Sequence, residues 1–374
     1  MENAEKMSKN ILYKVALAIS LVCMLITAWM IFKGRIPSAG PFFITFLIAL
    51  SISFRGIPLL KGLAFTVFIL GVSTTALYYP TLFTRVNGFE LAVLITPLVQ
   101  LIMFGTGSSM GIKDFIELSK SPKSVIIGVL AQYIIMPSLG FLLAKVTDFP
   151  TGISAGIVLL GCAPTSVTAS LFAYLAKANV ALAITVTSLT TLLAPLLIPL
   201  LMKLLADGFI EIDVFGMMWG MIKMVLLPIG AGLLFNKLLS GRAKWLDAGM
   251  PYVSMFGVAL IVAIIMAAGR DSVLNIGFTL LLVVLAHNLL GYFFGYLAAR
   301  LCRLNERDAR TIAIATGMQN AGLVSGIAKV MGKIGTVGLA SAICGPLMGL
   351  TASVLASYWS GHAAREMAEK EQTI

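Results

Sequence analysis

The chain has 374 residues, 59% hydrophobic and 11% charged, with a mean hydropathy of +0.98. That much apolar surface excludes a soluble monomer and calls for a lipid bilayer as partner. The net charge of +11 does not indicate a nucleic-acid binder, because the lysines and arginines lie scattered between apolar runs and form no basic cluster with aromatics.

Roughly 20 apolar residues cross the hydrocarbon layer as a helix. On that rule the predicted spans are 11–32, 40–54, 59–81, 90–110, 123–146, 152–174, 180–205, 215–238, 250–268, 274–300, 309–331 and 334–361. The first begins with basic residues like a signal peptide, but its apolar run is long and no small-residue cleavage site follows, so it reads as a span. The second is short for a crossing. With the N-terminus in the cytoplasm, 18 of the 27 lysines and arginines fall on the cytoplasmic side, among them Lys113, Lys120 and Arg242, against eight outside. Both termini are therefore expected in the cytoplasm, and this needs the second segment to cross.

Few residues offer reactive chemistry. Cys23, Cys162, Cys302 and Cys344 have no paired spacing, and neither His287 nor His362 has a second ligand nearby, so no disulfide framework or metal cluster is read. An intramembrane enzyme would need a nucleophile with a base or a metal set, which the spans lack. Among the acids only Glu90 touches a predicted span, at its edge, and no other carboxylate is expected to be buried.

An internal repeat organises the chain after residue 58. Val129-Leu130-Ala131-Gln132 recurs as Val284-Leu285-Ala286-His287, and at the same offset Gly140, Leu142 and Ala144 recur as Gly295, Leu297 and Ala299. A prolyl element, Ala194-Pro195-Leu196-Leu197, matches Gly345-Pro346-Leu347-Met348. Five spans separate the matched elements, and an odd number inverts the second copy. The expected fold is an all-α polytopic membrane protein with a five-plus-five inverted repeat, 59–205 and 215–361. A two-helix hairpin within 1–58 precedes it, and a cytoplasmic tail, 362–374, follows.

Two polar interruptions, Gly161-Cys162-Ala163-Pro164-Thr165-Ser166 and Thr316-Gly317-Met318-Gln319-Asn320, fall on the fourth span of each copy. Pro164 lacks an amide donor and restricts Ala163, while Gly317 frees the backbone beside two side-chain amides. Such breaks are costly in a bilayer unless they line a protein-enclosed cavity, where carbonyls can hold a cation and free amides an anion. Ser, Thr and Gly also serve as plain packing residues between membrane helices. Gln319 beside Asn320 argues for a site, since two adjacent amides need partners on more than one side. Lys223, inside a span, either faces the substrate path or snorkels to the headgroups. Met217, Met218, Met221 and Met224 read as packing or lipid-facing residues.

The run Gly317-Met318-Gln319-Asn320-Ala321-Gly322-Leu323, with Gly161-Cys162, Pro164, Tyr174-Leu175-Ala176-Lys177, Val180-Ala181-Leu182 and Ala194-Pro195-Leu196-Leu197, resembles the bile acid:sodium symporter family. The resemblance covers 59–361 and implies a ten-helix transporter with panel and core domains, two crossing broken helices, and movement of organic anions with sodium by alternating access. It also places the chain in a bacterial inner membrane. Carried over residue by residue, Gln132, Gln319 and the backbones of Thr316 and Met318 fall on one sodium site of the family, and Thr187 on the other. The family's shared carboxylate corresponds to Ala315, its Ser-Asn pair to Ala169-Ser170, and another serine to Ala183. One sodium site is thus largely dismantled and the other has lost its charge.

A buried sodium ion needs several oxygens and usually a compensating charge. Three readings stay open: natural divergence with weak or absent sodium coupling, coupling to another ion, or an engineered Glu-to-Ala change at 315. Divergence is favoured because neighbouring ligands are altered too. His287 is the intramembrane group that could serve a proton, and it is also a candidate contact for substrate. The leading expectation is a carrier of a small organic anion, a bile acid or similar, held by Asn320, Thr165 and Ser166. The alternatives are an arsenite-permease-like exporter and an anion-binding receptor that does not transport.

Overall fold

The computed structural model describes residues 2–57, 60–109, 121–239 and 244–372. Lys113, Lys120, Arg242 and the expected 58–59 boundary lie outside them. Among the described residues ten helices are long and apolar enough to cross a membrane. The chain is an integral membrane protein, and its described residues form helices, their connecting turns and one small ribbon.

Helices α1 (Glu2–Phe32) and α2 (Ile36–Phe54) form a hairpin that packs on α3 (Ala64–Tyr78). The doubtful second span is 19 residues long. It starts before residue 40 because Pro37 stands in the first turn, where its missing amide breaks no helical bond. A ribbon of β1 (Arg85–Val86) and β2 (Phe89–Glu90) turns at Asn87-Gly88, both with positive φ. Glu90 therefore lies outside the span that follows, paired with Arg85 at 2.6 Å.

Next come α4 (Ile95–Ser109), α5 (Pro122–Leu130), α6 (Met136–Val146), α7 (Thr151–Cys162), α8 (Ala169–Leu175), α9 (Val180–Ala206), α10 (Val214–Met221), α11 (Leu227–Leu239) and α12 (Lys244–Ala268). After them follow α13 (Arg270–Leu301), α14 (Glu306–Gly317), α15 (Ala321–Val330) and α16 (Leu339–Gln372). The stretch from 362, expected as a tail, continues α16 to Gln372, in keeping with its run of Ala, Glu, Met and Lys, all good helix formers.

Two spans contain a π turn. Ala131–Ile135 joins α5 to α6, and Ile222–Leu226 joins α10 to α11. A proline stands two residues beyond each turn, Pro137 and Pro228. Its missing N–H leaves the carbonyl five residues back, Gln132 O or Lys223 O, without the donor a π pattern would supply. For Lys223 the side chain of Gln100 on α4 makes up the loss, donating at 3.2 Å. The Lys223 side chain is exposed, with its ammonium 5.0 Å from the Trp219 ring centroid. Met217, Met221 and Met224 are buried packing residues.

The third span of each half lies against the first part of the fourth: α6 on α7, and α13 on α14. Glycine makes both approaches possible. A Cβ on Gly140 would come 3.4 Å from the Cα atoms of Val158 and Gly161, and one on Gly295 would come within 3.2 Å of Ala313 Cα and 2.8 Å of Thr316 Cβ. Val158 with Ala313, and Gly161 with Thr316, stand at the same offset as Gly140 with Gly295.

Candidate functional site

Both interruptions are real breaks. Helix α7 ends at Cys162 and α8 begins at Ala169; α14 ends at Gly317 and α15 begins at Ala321. The two extended segments run antiparallel and meet in a bridge between Thr165 and Gln319. Ser166 N donates to Met318 O at 2.7 Å, and Asn320 N donates to Pro164 O at 2.9 Å. Each break thus supplies backbone partners that the other lost on leaving the helix, which is how non-helical backbone survives at membrane depth.

Gln132, thrown inward by the π turn, organises the side chains. Its Nε2 donates to Ala163 O at 2.6 Å and to Gln319 Oε1 at 2.8 Å, while its Oε1 accepts from the Thr165 hydroxyl at 3.3 Å. Gln319 Nε2 donates to Thr316 O at 2.7 Å. Ala163 O and Thr316 O can only accept, so both amides are oriented without ambiguity. Asn288 Nδ2 donates to Gly317 O at 2.9 Å. The carbonyls of Ala163, Pro164, Thr316, Gly317 and Met318 therefore all receive a hydrogen bond from the protein. The NH2 group of Gln132, lying between two oxygens, does there what a small cation does between ligands.

The positions matched to sodium ligands divide. Gln132, Thr316, Met318 and Gln319 converge, each of them 0% exposed. Thr187 is buried and its hydroxyl has no partner, as is the hydroxyl of Thr316. Ser170 stays apart from them, half-buried and bonded to Val167 O of its own turn. Ala315 packs among Val125, Leu182, Val186 and Ile312, while Ala169 and Ala183 pack with Tyr292, Ile314 and Met318. The three positions that the resemblance matches to oxygen ligands, Ala169, Ala183 and Ala315, thus lie among apolar side chains.

Among the expected substrate contacts, Thr165 and Asn320 sit at the bridge. Asn320 caps α15 through its Oδ1, which accepts from Leu323 N at 3.1 Å, and its buried Nδ2 has no partner. Ser166 pairs with the Thr168 hydroxyl at 2.9 Å. His287 is fully buried, its Nε2 3.2 Å from Met136 O and its Nδ1 unpartnered, and it makes no hydrogen bond to the bridge. Cys162 is likewise fully buried, in an apolar core cluster that includes Cys344.

The expectation that no carboxylate is buried fails at Asp308, which is 5% exposed. Ser124 Oγ and Asn179 Nδ2 each donate to it at 2.8 Å, and Asn305 caps its backbone amide. Asp308 falls one residue before the predicted span, so a reading confined to apolar runs passes over it. It is seven residues from Ala315 on α14, about 10 Å along the axis, and does not replace the missing charge. Sequence reasoning also missed Asn288, whose signal was a second polar residue beside His287 in an apolar span. Thr190 was missed too; its hydroxyl accepts from Thr165 N at 3.3 Å.

The sequence pattern of the Sodium Bile acid symporter family matches residues 96–276. The Uncharacterized sodium-dependent transporter YocS of Bacillus subtilis (strain 168) is 34% identical over 84% of this chain and 96% of its own length. The Probable sodium/metabolite cotransporter BASS6, chloroplastic, of Arabidopsis thaliana is 33% identical over 78% of this chain and 73% of its own. For BASS1 of the same plant the figures are 28%, 72% and 67%. With an all-helical membrane fold already established, these likenesses lead to one conclusion: the chain belongs to the sodium bile acid symporter family, a family of transporters and not of enzymes.

Proposed function

We propose that the protein is a secondary transporter of a small organic anion, a bile acid or similar, working by alternating access, with sodium coupling that is impaired, weak or absent. The observation that carries this reading is the crossing itself: two broken helices joined backbone to backbone, with Asn320 Nδ2 buried and unpartnered beside the start of α15. A buried donor without a partner costs about 1–3 kcal/mol, and an anionic group supplies the missing acceptor where the helix N-terminus already favours negative charge. Weak coupling is supported by the apolar packing around Ala315 and by the hydrogen bonds that the break carbonyls already receive. If sodium binds, Gln132, Thr316, Met318 and Gln319 hold it, and the buried hydroxyls of Thr187 and Thr316, which have no protein partner, are free to join them.

The inverted repeat of 59–205 and 215–361 belongs to the same reading, supported by the matched glycine crossings of α6 on α7 and α13 on α14. In it α3, α4, α10–α11 and α12 form the panel, the remaining helices after residue 121 form the core, and both termini are cytoplasmic. The experiment is uptake into proteoliposomes of a panel of bile acids and small organic acids, driven by a sodium gradient. A proton gradient serves as the control for His287. Uptake with little sodium dependence is expected; no uptake of any of them rejects the transport reading, and steep sodium dependence rejects weak coupling.

A further inference from the structure

The break in α14–α15 is held from two sides, and the side opposite Gln132 belongs to a chain of hydrogen bonds centred on Asn288. Asn288 is 1% exposed on α13. Its Nδ2 donates to Gly317 O at 2.9 Å, and its Oδ1 accepts from the Thr351 hydroxyl of α16 at 2.6 Å. The hydroxyl of Tyr292, one turn along α13, lies 3.2 Å from Thr351 Oγ1. Because Gly317 O can only accept, the NH2 of Asn288 must face it, so Thr351 donates to the amide oxygen, and Tyr292, whose other acceptor is Met348 O at 3.5 Å, donates to Thr351 over the shorter 3.2 Å. The proton direction is then set along the whole chain, and bonds aligned in this way polarise one another.

Gly317 is where helix α14 ends. Without a side chain its peptide has the widest choice of direction of any residue, and the Tyr292 ring occupies the place a Cβ would take. The Gly317 carbonyl and the Met318 N–H belong to the same peptide plane. That N–H makes the last helical bond, to Ile314 O at 3.1 Å, and the Met318 carbonyl makes the first bond of the bridge, to Ser166 N. Holding the Gly317 carbonyl therefore fixes the plane through which helix becomes bridge. Gln132 performs a similar task for α7, where its amide holds Ala163 O. One carboxamide from the preceding span thus secures the end of each interrupted helix.

We propose that Asn288 is a positioning residue for the second break, with Thr351 and Tyr292 aligning its amide, so that the Thr316–Asn320 segment presents its groups in one geometry. Its consequence for substrate affinity rests on the transport reading above; its structural content does not.

Hydrogen exchange of the purified full chain in detergent tests it. Asn288→Ala is expected to speed exchange in peptides spanning 163–168 and 316–322 by roughly fivefold to tenfold, as loss of one buried hydrogen bond implies, with α4 and α11 unchanged. Thr351→Val should raise exchange in the same peptides by less, Thr351→Ser should match the unsubstituted chain, and Asn288→Ala with Thr351→Val should exceed neither effect of Asn288→Ala alone. Unchanged exchange at the bridge, or an equal rise everywhere, overturns the proposal. If Asn288→Ala does not fold, Thr351→Val decides, since it leaves the amide in place and removes only its alignment. Taurocholate uptake gives a second readout: a raised KM at unaltered Vmax per folded protein is expected, whereas a fall in Vmax alone marks a purely structural role. If the unsubstituted chain transports no taurocholate, that result counts against this substrate, and the exchange data still decide the role of Asn288.

Discussion

Helix α14 carries two buried polar regions, and they are built on opposite lines. At its start Asp308 brings a carboxylate into the interior and has every partner it needs: Ser124, Asn179 and a capped backbone. At its end there is no charge, yet the buried side chains of Thr187, His287, Thr316 and Asn320 each keep one polar atom without a partner. A satisfied buried cluster ties α5, α9 and α14 together and has nothing left to offer a ligand. An incompletely satisfied one costs stability and retains the capacity to bind.

Four substitutions test that contrast. Asp308→Ala should lower unfolding stability by about 3 kcal/mol, because two buried donors lose their acceptor together. Thermal unfolding in detergent measures this, and the substrate affinity of the protein that remains folded should not change. Gln319→Ala removes both the acceptor of Gln132 and the donor to Thr316 O, with an expected loss of about 2 kcal/mol, or roughly thirtyfold in uptake efficiency. A variant transporting like the parent would mean that the crossing is not the site.

Ala315→Glu puts a carboxylate one residue before Thr316, at the position that the resemblance matches to a shared ligand. Uptake should become about tenfold more dependent on sodium, as a restored charge near the ion predicts; an unchanged sodium response means that the apolar packing around 315 no longer admits an ion. The smallest effect is expected at Thr187→Val. Its hydroxyl has no protein partner, so stability should move by less than about 0.5 kcal/mol. Loss of a sodium response in this variant alone would identify the hydroxyl as an ion ligand and contradict weak coupling.

The breaks were legible because proline, glycine and amides inside apolar runs have few harmless explanations. Gln132, Thr165, Gln319 and Asn320 meet at the crossing in the folded chain, whereas the Ser170 hydroxyl has an acceptor one turn back and stays there. His287 drew attention as the rarer residue, but Asn288 beside it is the one that bonds to the break. Which of two neighbours on a helix points at a partner 29 positions away depends on how that helix is rotated against its neighbours, and no single segment records this. Asp308 escaped notice because burial was judged from local hydropathy, while its shelter comes from Ser124 and Asn179, far away in the chain.

Hydropathy, helix breakers and the order of motifs were sufficient to establish a membrane-embedded helical transporter and to locate its two interruptions, since these properties are local or periodic along the chain. The backbone bonds that join the breaks, the direction of each amide, the closing of apolar side chains around Ala315 and the burial of Asp308 had to await the folded chain. Each is settled by which helices meet and at what rotation, and hydrogen bonds and packing across 30 to 190 residues of sequence have no signature within any one segment.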